Sequence, residues 1–195
     1  AQTCCAQPAF NAGHRTEAKT VARQFLRAFA DAEVIVTASG SCAAMVRHEY
    51  PTLFGDDPRW LSLAERVAAI TWEITEYIVE GLGIEDLHLR LSEPQTFAFH
   101  DACHGLRLLG LAQAARTLVG NIENATVVEL AEYDVCCGFG GLFSVKMPAV
   151  SNAMLQTKMH HIEQSTAPVI LTGDVSCMTQ MNGGLSRAGS SKRVR

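Results

Sequence analysis

Apolar positions recur along the chain with two periods. Between residues 14 and 31, Val21, Ala22, Phe25, Leu26 and Phe29 fall three or four apart with charged residues opposite them, the spacing that gathers side chains on one face of a helix. The β-branched run 34–37 predicts a short buried strand, which runs out in the small residues of 38–41. A helix is expected over 43–49, closed by Pro51, with a loop over 55–58. The longest helical pattern covers 61–79, where Leu63, Val67, Ile70, Ile74, Tyr77 and Ile78 share a side, and Gly81 and Gly83 end it.

Past Pro94 the alternation runs again. Strands are predicted at 96–99, 127–130 and 169–172, and helices at about 106–119 and 148–164. Strands that alternate with helices imply an α/β fold, with parallel strands flanked by helices. Composition then narrows the field by exclusion. With 48% hydrophobic and 18% charged residues in 195, the chain belongs with globular proteins that bury a substantial core. No apolar run reaches the length of a membrane span. A net charge of −4 leaves no basic face for nucleic acid. Between 56 and 93, nine acidic residues stand against three Arg, read as a solvated face ahead of a partner surface.

Cysteine changes the picture most. There are seven, an odd number without a short secreted scaffold, which argues against a disulfide framework and for a reducing compartment. The cytoplasm is therefore expected, or a membrane-peripheral place held through a partner. Cys103, the doublet Cys136 and Cys137 in CCGFGG, and Cys177 each follow a predicted strand, and functional groups gather at the carboxyl ends of strands in open α/β sheets. Four thiolates complete the ligand set of a [4Fe-4S] cluster. Gly138, Gly140 and Gly141 let backbone pass close to an inorganic core and adopt positive φ. Sulfurs sharing a cluster are expected roughly 6 to 7 Å apart even without metal.

Other chemistries compete for these residues. Buried free Cys is common, so a doublet can arise by chance. Structural zinc takes Cys4 or Cys3His, and His100 and His104 flank Cys103, although the C-x2-4-C pair usual for zinc is missing. One Cys of a doublet could instead be a low-pKa nucleophile. Around the main set, His100, Asp101 and His104 are positioned to donate hydrogen bonds to cluster sulfurs. Lys146 and Arg107 are candidates to offset its negative charge.

The first half repeats the pattern. Cys4 and Cys5 form a second doublet, and Cys42 follows Cys5 by 37 residues, against 40 from Cys137 to Cys177. The text AEVIVTASGSC before Cys42 parallels APVILTGDVSC before Cys177. A duplication of period 132 to 135 residues implies two pseudo-repeated half-domains. Residues 1–93 are expected to form the first, with a connecting helix, 94–187 the second, and 188–195 a mobile basic tail. By the offset of Cys103, the first half calls for a Cys about 29 residues before Ala1. The chain is accordingly expected to be an N-terminally truncated fragment with an incomplete first triad of Cys4, Cys5 and Cys42.

The stretches CCAQPAFNAGHRTEA, SGSCAAMVRHEYP, FHDACHGLRLLG, CCGFGGLFSVKMPAVSNAM and DVSCM resemble the lactate-utilisation protein A family of cysteine-rich CCG-domain proteins. Its relatives include the cysteine-rich subunit of heterodisulfide reductase and the iron-sulfur subunits of glycolate oxidase and anaerobic glycerol-3-phosphate dehydrogenase. The resemblance implies an iron-sulfur electron-transfer subunit of a complex that oxidises L-lactate to pyruvate, partnered by a ferredoxin-type iron-sulfur subunit. It also implies one complete [4Fe-4S] site here, at Cys103, Cys136, Cys137 and Cys177, and a second in a longer chain, at Cys4, Cys5 and Cys42. Glycolate or glycerol-3-phosphate oxidation, and a zinc-stapled interaction subunit, are the alternatives. No G-x-G-x-x-G follows a strand, so hydride chemistry belongs to another subunit.

Two departures from the family pattern stand out. The first doublet is followed by Ala6 where the pattern has Gly, which puts that loop's backbone in question. The closing motif, C-x-x-C in heterodisulfide reductases, begins here with Ser39 and Asp174. An ordinary four-Cys cluster is therefore expected, unless one of these supplies an oxygen ligand.

Overall fold

The computed structural model describes residues 4–195, so the first three residues of the expected first half-domain lie outside it. The chain forms two compact units that divide after Ile74, earlier than the expected boundary at 93. Mixed α/β structure fills both, and every strand pairing among the described residues is parallel. No helix among them is long and apolar enough to cross a membrane.

The first unit opens with helices α1 (Gln7–Asn11) and α2 (Arg15–Ala28). The periodic face of α2 buries Ala18, Ala22, Phe25 and Leu26. Strand β1 (Ile35–Thr37) leads into α3 (Gly40–Ala44), a π-helical turn (Met45–Glu49) and α4 (Tyr50–Leu53). Pro51 therefore does not stop this helix. The wide turn, closed by Tyr50 N–H on Met45 O, shifts the hydrogen-bond register just before Pro51, where a missing N–H costs least. Helix α5 (Pro58–Ala69) and strand β2 (Thr71–Glu73) complete the unit. The long helix expected over 61–79 is thus cut by a strand, since Thr71 to Glu73 pair with β1 and bury Thr71 and Glu73.

The second unit continues with α6 (Ile74–Glu76), whose first residue closes the first unit, and a π-helical turn (Tyr77–Gly81). Glu73 and Glu76 are buried, which removes them from the solvated face expected of the acidic stretch. Strand β3 (Arg90–Phe99) starts earlier than expected and runs through Pro94, which falls in a register shift between Arg90 and Gln95, where an absent donor is tolerated. Helices α7 (Cys103–Leu109) and α8 (Ala114–Gly120) replace one expected helix, broken at Gly110 with φ of 71°. Strand β4 (Glu123–Val128), helices α9 (Leu142–Lys146) and α10 (Pro148–Gln164), strand β5 (Val169–Leu171), helix α11 (Val175–Arg187) and strand β6 (Arg193–Val194) follow.

The sheet order is β4-β3-β5-β6. The tail expected to be mobile carries its edge strand: β6 pairs with β5, and Asn182 both donates to Val194 O at 2.8 Å and accepts from Val194 N–H at 2.9 Å. Beneath the sheet, Ala98, Leu155, Ile162, Ile170, Met181 and Leu185 form a core that takes in Cys137 and Cys177.

Candidate metal centre

Three adjacent strands aim their carboxyl ends at one place. Beyond β4 lies the doublet, beyond the central β3 lies Cys103, and beyond β5 lies Cys177. Neighbouring strands run about 4.8 Å apart, so three tips span the width of a small cluster. Cys103 opens α7 and Cys177 is third in α11. Only the doublet stands in an irregular loop.

The four thiols form a chain of contacts. Cys136 interacts with both Cys103 and Cys137, and Cys137 Sγ lies 3.3 Å from Cys177 Sγ. This distance is much shorter than the roughly 6 to 7 Å expected of sulfurs that share a cluster. Side-chain rotation must part these two sulfurs to seat them around a metal.

Electrostatics distinguishes the four. Hydrogen bonds from Cys103 and Cys137 pull the Cys136 thiol far below its ordinary pKa, helped by the Gly138 N–H at 3.4 Å. Donating to Cys136 pushes Cys103 and Cys137 the other way, and burial adds to it. Within this set Cys136 is the thiol most favoured to ionise, and metal binding draws off the protons of Cys103 and Cys137.

The glycines after the doublet take the predicted backbone. Gly138 has φ of 84°, and a Cβ there would meet Ser151 O at 2.4 Å. Ser151 Oγ donates to Gly138 O at 2.7 Å, tying the loop to α10.

The residues around the thiols differ in role. His100, 1% exposed, directly follows β3, and its ring faces the Tyr133 carbonyl. A ring nitrogen and the sulfurs of Cys137 and Cys177 lie within 4.8 Å of one another. Burial, and then the Lys158 cation, hold the His100 imidazole neutral, with a pKa of about 4. Asp101 accepts from Arg116 Nη1 at 2.9 and 3.0 Å, and burial raises its pKa against the pull of that guanidinium. His104 Nδ1 sits 3.7 Å from Cys103 Sγ. Arg107 faces Cys103 and favours its thiolate, whereas Lys146 is exposed.

Two residues emerge from the structure in roles the sequence did not suggest. Lys158, fully buried, donates to Glu132 O and lies close enough to feel the charges of Cys136 and Cys137. Its position in sequence carried a signal: it shares the buried face of α10 with Leu155, Met159 and Ile162. Asp174, considered as an oxygen ligand, caps α11 by accepting from Ser176 N–H at 3.0 Å.

The first unit repeats the arrangement on a smaller scale. Ser39 and Asp174 are both extended residues before a helix whose third residue is cysteine, Cys42 or Cys177. Cys5 is buried and contacts Cys42, which raises its pKa. Cys4 is exposed. Tyr50 Oη donates to Cys5 O at 3.1 Å and holds the doublet's backbone. Ala6 takes φ of 71°, the conformation Gly138 has in the second doublet. A cavity of about 160 Å³ opens beside Cys5 and Cys42, walled by Phe25, Phe29 and Ile35.

The donor set fits an iron-sulfur centre in kind: four thiols beyond three neighbouring strand ends, beside the buried Lys158. Comparison with known proteins identifies the family. The sequence pattern of the family described as CCG, cysteine-rich domain, matches residues 1–47 and 97–182, one stretch in each half of the duplication. "Lactate utilization protein A" of Geobacillus kaustophilus (strain HTA426) is 44% identical over 194 residues, covering 100% of this chain and 80% of that protein. The protein of the same name from Exiguobacterium sp. (strain ATCC BAA-1283 / AT1b) is 45% identical over 195 residues, covering 99% and 78%. That from Macrococcus caseolyticus (strain JCSC5402) is 43% identical over 189 residues, covering 97% and 76%.

Proposed function

Since this chain belongs to the lactate utilization protein A family of cysteine-rich CCG-domain proteins, we propose that it is the iron-sulfur electron-transfer subunit of a system that oxidises L-lactate to pyruvate. The observation that carries this reading is the convergence of Cys103, Cys136, Cys137 and Cys177 beyond three adjacent parallel strands. These four hold a [4Fe-4S] cluster, and Cys4, Cys5 and Cys42 belong to a second. A cluster so bound supplies one-electron transfer.

The protein's own residues set the conditions for that transfer. Lys158, buried beside the doublet, and Arg107, facing Cys103, offset the negative charge of four thiolates. Gly138 lets the doublet loop press against α10, which keeps the thiols at fixed depth. The two half-domains each carry one site, as the two matched stretches support. With no dinucleotide fingerprint in the chain, hydride removal from the substrate falls to a partner subunit, and a ferredoxin-type iron-sulfur subunit completes the relay. The complex works in the cytoplasm, or at a membrane face through a partner.

A second reading has one specific observation behind it. His100, Cys137 and Cys177 bring one ligand atom each within 4.8 Å of one another, a Cys2His grouping that favours a zinc-stapled interaction subunit without redox activity. Growth separates the role in lactate oxidation from others. Deleting the gene in its own host is expected to abolish growth on L-lactate and spare growth on pyruvate, with rescue by the wild-type gene and none by Cys136→Ser. Undiminished growth on L-lactate after deletion contradicts the assignment.

A further inference from the structure

The four cysteines of the second unit are thiols, and they stand in a line of contacts: Cys103 to Cys136, Cys136 to Cys137, and Cys137 to Cys177. One side chain fastens the inner end of this line. Ser151 Oγ donates to Gly138 O at 2.7 Å, next to Cys137, and accepts from Gln180 Nε2 at 3.4 Å, one turn past Cys177 on α11. Doublet loop and helix are thereby tied to the same residue of α10, with Cys137 Sγ 3.3 Å from Cys177 Sγ. The outer end is reachable from solvent, since Cys103 and Cys136 are half-buried whereas Cys137 and Cys177 are buried.

Thiols in contact can join by side-chain rotation, without backbone movement. Four cysteines allow three pairings, and the line of contacts selects one. A bond between Cys136 and Cys137 closes a small ring and twists the peptide between them out of plane, which rules out the pairing that leaves Cys103 with Cys177. Crossed pairs, Cys103 with Cys137 and Cys136 with Cys177, each skip a nearer sulfur. Cys103 with Cys136 and Cys137 with Cys177 remain. Each bond takes one hydrogen peroxide: a thiol gives a sulfenic acid and one water, and the neighbouring thiol then displaces the hydroxyl as a second water. A reduced dithiol reverses the bond by exchange, becoming a disulfide itself. In a reducing compartment such disulfides are transient and serve as redox sensors.

Resting on the iron-sulfur reading above, we propose that the metal centre carries a reversible redox lock: under peroxide the chain pairs Cys103 with Cys136 and Cys137 with Cys177, which withdraws all four ligands and bars cluster loading until a dithiol reduces them. The test exposes the full chain, chelator-treated and reduced, to hydrogen peroxide, blocks the remaining thiols with N-ethylmaleimide, and maps the disulfides by fragmentation mass spectrometry. Wild type should show both bonds, and Cys136→Ser should keep the one between Cys137 and Cys177. Iron bound through this set, measured against the variant with all four cysteines changed to Ala, should fall at least about tenfold on oxidation, because disulfide sulfurs are not thiolate ligands, and return with dithiothreitol. A bond between Cys136 and Cys137, a crossed pairing, or oxidation to sulfinic acid with no bond among the four overturns the proposal. Undiminished iron uptake by the doubly bonded chain does the same. Missing bonds in a chain whose reduced form loads iron overturn the lock alone, whereas a reduced chain that takes up no iron overturns the iron-sulfur reading and the lock with it. Wild type decides even where the Ser variant does not fold.

Discussion

Replacing Gly138 with Ala tests whether the doublet loop is built as described. The residue sits at φ of 84°, and an added Cβ would lie 2.4 Å from Ser151 O and 3.1 Å from Met154 Cβ. The left-handed conformation alone costs an L-residue about 1 to 2 kcal/mol. The contact with Ser151 is with backbone, so α10 or the loop must move, and the bond from Ser151 Oγ to Gly138 O goes with it, at about 1 kcal/mol. The sum is about 2 to 3 kcal/mol, and the steric contact takes it to the upper end, about 3. With a urea m-value of about 2 kcal/mol/M, the transition should fall by about 1.5 M. The assay is urea unfolding of the metal-free chain followed by far-ultraviolet circular dichroism, with iron uptake measured in parallel. A loss below about 1 kcal/mol, with full iron uptake, refutes the argument from close approach.

The remaining predictions concern the other residues of the two sites. Ala6→Gly should change stability by less than about 1 kcal/mol, because relief of left-handed strain is offset by loss of a buried methyl and by glycine's greater chain entropy; the same urea titration checks it. Cys136→Ala should lose most bound iron and sulfide, since it leaves a three-thiol set and removes the cysteine that contacts both Cys103 and Cys137, and full retention by chemical analysis would refute the four-thiol set. Metal uptake should strengthen as pH rises, because donation to Cys136 and burial raise the pKa values of Cys103 and Cys137 and binding expels thiol protons; a pH-independent Co2+ titration contradicts this. Lys158→Met should lower the midpoint potential in a redox titration with iron content unchanged, as a buried cation that favours the reduced, more negative centre is removed.

Much of this was legible in the sequence where local pattern and tertiary environment agree. Helix α2 follows its apolar spacing, and Cys42 and Cys177 could be placed at strand ends because short β-branched runs precede them. The duplication showed in the spacing of doublet and closing Cys, and Ala6 does take the positive φ that its place after a doublet demands. Elsewhere long-range pairing decided. Thr71 to Glu73 sit inside a helical period, and only β1, more than thirty residues away, makes them a strand. Serine, glycine and basic residues at the chain's end suggested mobility, yet backbone pairing with β5 and the two bonds of Asn182 need no apolar side chains. The buried state of Lys158 followed from its place on the inner face of α10, which a charged residue disguises. That His100 packs fully buried against Cys137 and Cys177 could be learned only from its neighbours.

The central claim, that Cys103, Cys136, Cys137 and Cys177 hold an iron-sulfur centre, is tested most directly by the visible spectrum and metal content of the anaerobically reconstituted chain. Four thiols support one [4Fe-4S] centre, so this set should contribute about four irons and four sulfides per chain, with a broad absorbance near about 400 nm that bleaches with dithionite. Both should be lost when the four cysteines are changed to Ala together. A colourless protein that takes up one zinc in preference to iron, or a brown one whose iron survives loss of all four cysteines, contradicts the account.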